Sequence, residues 1–191
     1  MRIGILAVQG AFIEHGKKLE RLGAGYIELR QKSDLEQEID GLILPGGEST
    51  VQGKLLLEQD MLAALKTKIQ QGMPVLATCA GLILLAEKIS NDAHVYFGTL
   101  PVTVKRNAYG RQLGSFHAVQ EMKGLGAVPM TFIRAPYIEA VGEDVEVLAK
   151  VDEKIVAVRY GRQYGVAFHP ELDADDRIHR SFLQECAGRK L

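Results

Sequence analysis

Two textures of apolar and polar positions divide the chain. In its N-terminal half, short and largely uncharged runs alternate with segments whose apolar residues recur among charges. Residues 2–8, 26–29 and 41–44 are runs of the first kind, and so is the run from Pro74 to Thr78. Each predicts a strand, buried on both faces where no charge interrupts it. Residues 12–22 carry Phe12, Leu19 and Leu22 at helical spacing, and Gly23 predicts the end of that helix. Ser33 or Asp34 predicts the cap of a short helical turn. Residues 60–71 place Met61, Leu62, Leu65 and Ile69 on one helical face ahead of Gly72. After Cys79 the apolar run continues as an expected helix that ends near Glu87 and Lys88.

Past Asn91 the pattern changes. Residues 99–105, 116–120, 130–134, 145–151, 154–160 and 164–168 are short segments rich in β-branched or aromatic residues, separated by Gly, Pro and Asp. Residues 145–160 predict a hairpin closed at Asp152 and Glu153, and a last helix is expected over 176–186. Alternation first and hairpins later predict an α/β fold. Its expected form is a three-layer open mixed sheet, mostly parallel and flanked by helices, with an antiparallel extension in the C-terminal half. No internal repeat, low-complexity tract or linker interrupts it, so a single domain over 1–191 is expected.

Composition narrows the function classes. The chain has 191 residues, 47% hydrophobic and 25% charged, which is the balance of an ordinary globular protein. A formal net charge of −1 with no long run of one sign gives no support to nucleic-acid or membrane binding. Two cysteines are too few for a disulfide framework and suggest a reducing, cytoplasmic setting. The apolar stretch at the N-terminus is short, and Glu14 and His15 soon follow it without a cleavage pattern, so a strand is expected there in place of a signal peptide. No apolar run approaches the roughly 18 residues of a membrane span. No Cys/His cluster has zinc-ligand spacing, so no metal is expected; no cofactor is expected either.

Ligands of parallel sheets bind beyond the carboxyl ends of the strands. Three loops qualify here: those after Leu44, after Thr78 and after Phe168. In the second, Cys79 stands between a buried strand and a helix, followed by the small residues Ala80 and Gly81. That is the thiol counterpart of a nucleophile elbow, and a helix N-terminus behind it favours the thiolate. Taken alone, such a cysteine is equally readable as an inert core residue. In the third loop, His169-Pro170-Glu171 sets a base and a carboxylate two residues apart, on one side of an extended chain. Alone it is a polar turn; with a cysteine elbow it completes a nucleophile, base and orienter. The first loop, Pro45-Gly46-Gly47-Glu48-Ser49-Thr50, lacks the lysine and spacing of a phosphate loop, but its paired glycines offer N–H groups to an oxyanion. His15 and His179 are expected at the surface on polar helix faces, His94 and His117 likewise in loop or strand, and Cys186 is expected to be structural.

Several runs together make the chain recognisable: Leu6-Ala7-Val8-Gln9-Gly10, Leu42 to Thr50, Thr78-Cys79-Ala80-Gly81-Leu82-Ile83, Arg106 to Gln112, Phe132-Ile133-Arg134-Ala135-Pro136 and Phe168 to Leu172. They span most of the sequence in order. The chain resembles the class I, triad-type glutamine amidotransferases, whose sheet is flavodoxin-like, and within them the glutaminase subunits of pyridoxal 5′-phosphate synthase. Ala77 departs from the generic elbow, which has glycine at that position. The resemblance implies hydrolysis of L-glutamine to glutamate and ammonia, with Cys79 as nucleophile, His169 as acid and base, and Glu171 as orienter. It implies an oxyanion hole from the N–H groups of Gly47 and Ala80, and glutamine contacts from Gly46, Gly47, Glu48, Arg106, Ile133 and Arg134. It also implies a partner: a separate synthase subunit, in a large hetero-oligomeric complex, that consumes the ammonia. Gln9 and Gly10 resemble positions near that contact. The same residues leave room for a glutaminase serving imidazole or purine synthesis, for a catalytically silent module of this fold, and for a cysteine peptidase or deglycase.

Overall fold

The computed structural model describes residues 1–90, 92–106 and 114–188; the part of the Arg106 to Gln112 run after Arg106 lies outside them. Strands β1 (Arg2–Leu6), β2 (Gly25–Leu29), β3 (Gly41–Leu44), β4 (Val75–Thr78) and β12 (Gln163–Val166) form the parallel half of the sheet, in the order β2-β1-β3-β4-β12. β3, β4 and β12 are buried throughout, as their uncharged sequences require, and β2 forms the half-exposed edge. Beyond β12 the direction reverses. β11 (Lys154–Tyr160) pairs antiparallel with β12, and β9 (Tyr137–Val141), β6 (Leu100–Lys105) and β5 (Ala86–Ile89) extend the sheet, with β10 (Glu146–Val151) hairpinned onto β11. The mixed sheet with an antiparallel C-terminal extension is therefore present, and the 145–160 hairpin closes where expected.

Helices α1 (Phe12–Arg21), α2 (Ser49–Glu58), α3 (Leu62–Gln70), α4 (Ala80–Leu85) and α5 (Arg177–Cys186) cover the sheet, and a 3-10 turn at Lys32–Glu36 fills the connection between β2 and β3. Four features depart from the sequence expectations. The Gly-Gly-Glu-Ser-Thr run does not stay a loop, because Ser49 already begins α2. α4 is six residues long and gives way at Ala86 to β5, which pairs with β6, so the helix does not reach Glu87. β9 has no counterpart among the predicted strands. β7 (Ser115–Met122) and β8 (Gly126–Ile133) form a two-stranded ribbon of their own instead of extending the main sheet. The ribbon packs back through Phe132, whose ring lies against Phe116 and Phe168. No helix among the described residues is long and apolar enough to cross a membrane.

Candidate active site

The parallel register brings three strand ends level. Leu44 of β3 stands beside Ala77 of β4, and Thr78 beside Val166 of β12. Cys79 follows with φ of 48° and ψ of −101°, a positive φ that an L-residue adopts only under constraint. The constraint is visible. The Cys79 N–H donates to Val166 O at 2.8 Å, and α4 starts so close to β3 that a Cβ on Gly81 would stand 2.0 Å from Leu44 O. The strained elbow presents the Cys79 thiol, itself 7% exposed, to a pocket of about 470 Å³. Ala80 opens α4, so its N–H is among those left without a carbonyl partner inside the helix.

His169 reaches the same pocket from the loop after β12, where its N–H donates to Thr131 O of the ribbon at 2.8 Å. Its Nδ1 lies 2.7 Å from Glu171 Oε1, with the carboxylate fully buried. Burial pulls the imidazole pKa down, but hydrogen bonds to Cys79 and to Glu171 outweigh it and push it up to about 10. His169 is thus an imidazolium at neutral pH, held between a sulfur and a carboxylate. A Cβ on Gly46 would come within 2.3 Å of its Cε1, so the first glycine of the pair makes room for the ring.

Gly47 and Glu48 line the pocket, and the Glu48 N–H donates to Gln9 Oε1 at 2.9 Å. Gln52 in turn holds the Gln9 and Pro45 carbonyls through Nε2, at 2.9 and 3.2 Å. Arg106 also lines the pocket, with its guanidinium engaged: it donates to Thr50 Oγ1 at 2.9 Å and pairs with Asp92. Ile133 and Arg134 line the pocket too, Arg134 with φ of 41°. The Cys79 Sγ lies 4.0 Å from Ile133 O. The residues singled out in sequence are thereby gathered around one pocket or directly behind it, and Ala80 adjoins Cys79. His94 and His117 are exposed, as expected.

Two histidines contradict the sequence expectation. His15 and His179 are both completely buried, behind Glu171 and not on the surface. The signal for this lies in their spacing: His15 stands three residues after Phe12 and four before Leu19, on the apolar face of α1, and His179 stands three before Phe182. Burial lowers both pKa values, that of His179 to about 3, so both rings are neutral.

With this geometry in hand, similarity to known proteins decides the family. Residues 5–188 match the model of the SNO glutamine amidotransferase family. The chain belongs to that family. It is 65% identical over 190 residues to the pyridoxal 5′-phosphate synthase subunit PdxT of Desulfitobacterium hafniense, covering all of this chain and 96% of that one. It is 52% identical to the PdxT of Streptococcus pneumoniae strain CGSP14, over the full length of both. A solved glutamine amidotransferase structure superposes with a TM-score of 0.92 at 44% identity, over 97% of this chain and 98% of that one. The structure of PurLQS from Thermotoga maritima, at 18% identity and a TM-score of 0.70 over 96% of this chain and 98% of that one, shares the fold alone. The elbow cysteine, the His-Pro-Glu run and the Gly-Gly-Glu loop all fall within the matched residues 5–188.

Proposed function

We propose that the chain, as one glutaminase domain, hydrolyses L-glutamine to glutamate and ammonia through Cys79, His169 and Glu171, and feeds the ammonia to a separate synthase subunit making pyridoxal 5′-phosphate. The observation that carries this reading is that the elbow sulfur of Cys79 and the imidazole of His169, which Glu171 holds at 2.7 Å, line one pocket with room for an amino acid. The Cys79 sulfur attacks the side-chain amide carbon, and the carbonyl oxygen becomes an oxyanion. N–H groups of Gly47 and Ala80 receive that charge, each worth about 3 kcal/mol in sites of this kind. His169 gives its proton to the departing amine, which leaves as ammonia, and a glutamyl thioester remains on the sulfur. Neutral His169 then takes a proton from water, the hydroxyl adds to the thioester, and the C–S bond breaks to release glutamate and the thiolate–imidazolium pair. Glu171 keeps the imidazole ring in register through both halves. Gly46, Glu48, Ile133 and the two arginines would hold the α-amino and α-carboxylate groups, with guanidinium suited to the carboxylate and Glu48 to the amine.

The PdxT relatives are named as subunits of a synthase, which supports a hetero-oligomeric setting in which ammonia passes to its consumer directly. The test is reconstitution with a pyridoxal 5′-phosphate synthase subunit, following ammonia release and product together. Ammonia release should rise when that subunit is present, and should vanish in Cys79→Ala. Parental hydrolysis by Cys79→Ala would overturn the nucleophile; hydrolysis that the subunit neither stimulates nor converts into product would overturn the partner.

A further inference from the structure

The mechanism uses one oxygen of Glu171 and leaves the other unexplained. Oε1 is taken by His169, whereas Oε2 is buried and makes no conventional hydrogen bond. A fully buried carboxylate that must stay ionised needs compensation at both oxygens. The nitrogen facing Oε2 is Nε2 of His15, at 3.5 Å, and the same nitrogen stands 3.3 Å from Thr78 Oγ1. On its far side, His15 Nδ1 is 2.9 Å from His179 Nε2, the two rings tilted at 44°.

Proton positions in this pair follow from two separate observations. A lone pair on His15 Nε2 would face the carboxylate across 3.5 Å and repel it, so the proton belongs on Nε2. His15 Nδ1 must then accept, and His179 Nε2 must donate. That leaves His179 Nδ1 as a lone pair, and Nδ1 is the atom of His179 without a partner. The opposite assignment would strand a buried N–H there, and orphaned N–H groups are rarer than under-used acceptors. Both observations orient the chain of donors the same way, from His179 through His15 towards Glu171.

We infer that His15, with its proton fixed on Nε2 by His179, is a positioning residue that braces the second oxygen of Glu171 and so keeps the carboxylate aimed at His169. The inference rests on the glutaminase reading above. Neutrality of both rings suits the role: a second positive charge behind Glu171 would compete with His169 for the carboxylate. The surroundings keep them neutral. Lys18 is itself buried, its ammonium bonded to Asp173 O, Asp175 O and Asp176, and with Arg21 it disfavours protonation of His179, while Asp176 opposes them. His15 faces positive charge from His169 and Lys18 as well.

Nitrogen-15 NMR of the histidine-labelled chain tests the proton positions without reference to activity. His15 and His179 should both appear as neutral Nε2–H tautomers across about pH 5–8, the range in which an ordinary histidine titrates. An Nδ1–H tautomer for His15, or its protonation in that range, would overturn the inference. Kinetics in the reconstituted complex test the role. His15→Phe keeps the volume and removes the N–H that faces Glu171, and kcat should fall at least about tenfold, the lower range for losing a group that orients a reacting one. KM should hold, since His15 does not line the pocket. His15→Gln restores a donor at similar reach and should recover most of the rate, whereas a purely structural role would leave kcat of the folded protein unchanged in both. Should His15→Phe fold poorly, His179→Phe tests the same chain one step further out, with a smaller fall in kcat expected and no fall contradicting the proton lock. Parental kcat in both His15 variants while Cys79→Ala is inactive would sink this inference and leave the glutaminase standing; an active Cys79→Ala would sink the glutaminase reading itself.

Discussion

Glu171 stands between two kinds of histidine. His169, on its pocket side, is pushed up to about 10, while His179, behind it, is driven down to about 3 and His15 is lowered too. Burial lowers all three, so burial does not decide which is charged. The difference lies in partners. His169 has a carboxylate oxygen at 2.7 Å and a sulfur that both favour its proton; His15 faces the same carboxylate only at 3.5 Å and is surrounded by other cationic or basic groups. One carboxylate can thus hold a charged acid on one side and be steadied by neutral dipoles on the other.

Removing the carboxylate should erase that contrast, with the largest effect. Glu171→Gln keeps the shape of the group but gives His169 no anion, and kcat for ammonia release should fall about 10²- to 10⁴-fold, the span covered by general acid–base catalysis and its orienters. A loss of less than tenfold at saturating glutamine would mean that the sulfur alone holds the imidazolium.

Shifting the ring while leaving its partners in place is the next largest perturbation. In Gly46→Ala the new methyl would meet His169 Cε1 at 2.3 Å and Nδ1 at 2.8 Å. A displacement near 1 Å costs about 10²-fold in rate, and the site's fold should survive because the clash is with a ring and not with backbone. Unchanged turnover would show that the loop moves away from the histidine.

The far side of the comparison is read by stability against pH. The folded-state pKa values of His15 and His179 lie below the ordinary histidine value, which is about 6.5 in the unfolded chain, so the unfolded chain binds more protons between the two. The stability they contribute is fully present above about pH 6.5 and is lost as pH falls through their lowered folded values, about 3 for His179, at about 1.4 kcal/mol per pH unit for each proton. Asp92, Asp175 and Asp176, also held low by their hydrogen bonds to His94, Arg177 and Arg21, add their loss only below the ordinary carboxylate range. Urea midpoints between about pH 6.5 and 4.5 should therefore slope downward in the parent and less steeply in His179→Phe. Equal slopes would place the acid sensitivity elsewhere.

How much of this was legible in the sequence differs by region for physical reasons. The strand ends and their loops could be read because uncharged runs, turn residues and the pairing of Cys79 with His169-Pro170-Glu171 are local patterns. α2 was hidden because its buried positions are Ser49, Gln52, Gly53 and Leu56, three of them polar or without a side chain, so no apolar stripe marks it. The change from α4 to β5 at Ala86 has no glycine or proline to announce it; pairing with β6 imposes it. The buried histidines are easily misread because one imidazole among the charges of a helix looks polar, although its spacing to apolar neighbours marks the buried face. Their meeting joins α1 to α5 across 164 positions of sequence, a contact that no local pattern carries.

The two cysteines offer the most direct test of the central claim that Cys79 is the nucleophile. Cys186 is a thiol pushed up to about 12 by burial, whereas Cys79 shares its pocket with the imidazole of His169. A glutamine analogue with a diazoketone in place of the side-chain amide should be followed by intact mass and peptide mapping, in the presence of the synthase subunit. One adduct, on Cys79, suppressed by excess glutamine and slowed in Glu171→Gln, is the expected result. Hydrolysis of glutamine that continues undiminished after Cys79 is fully labelled would contradict the account.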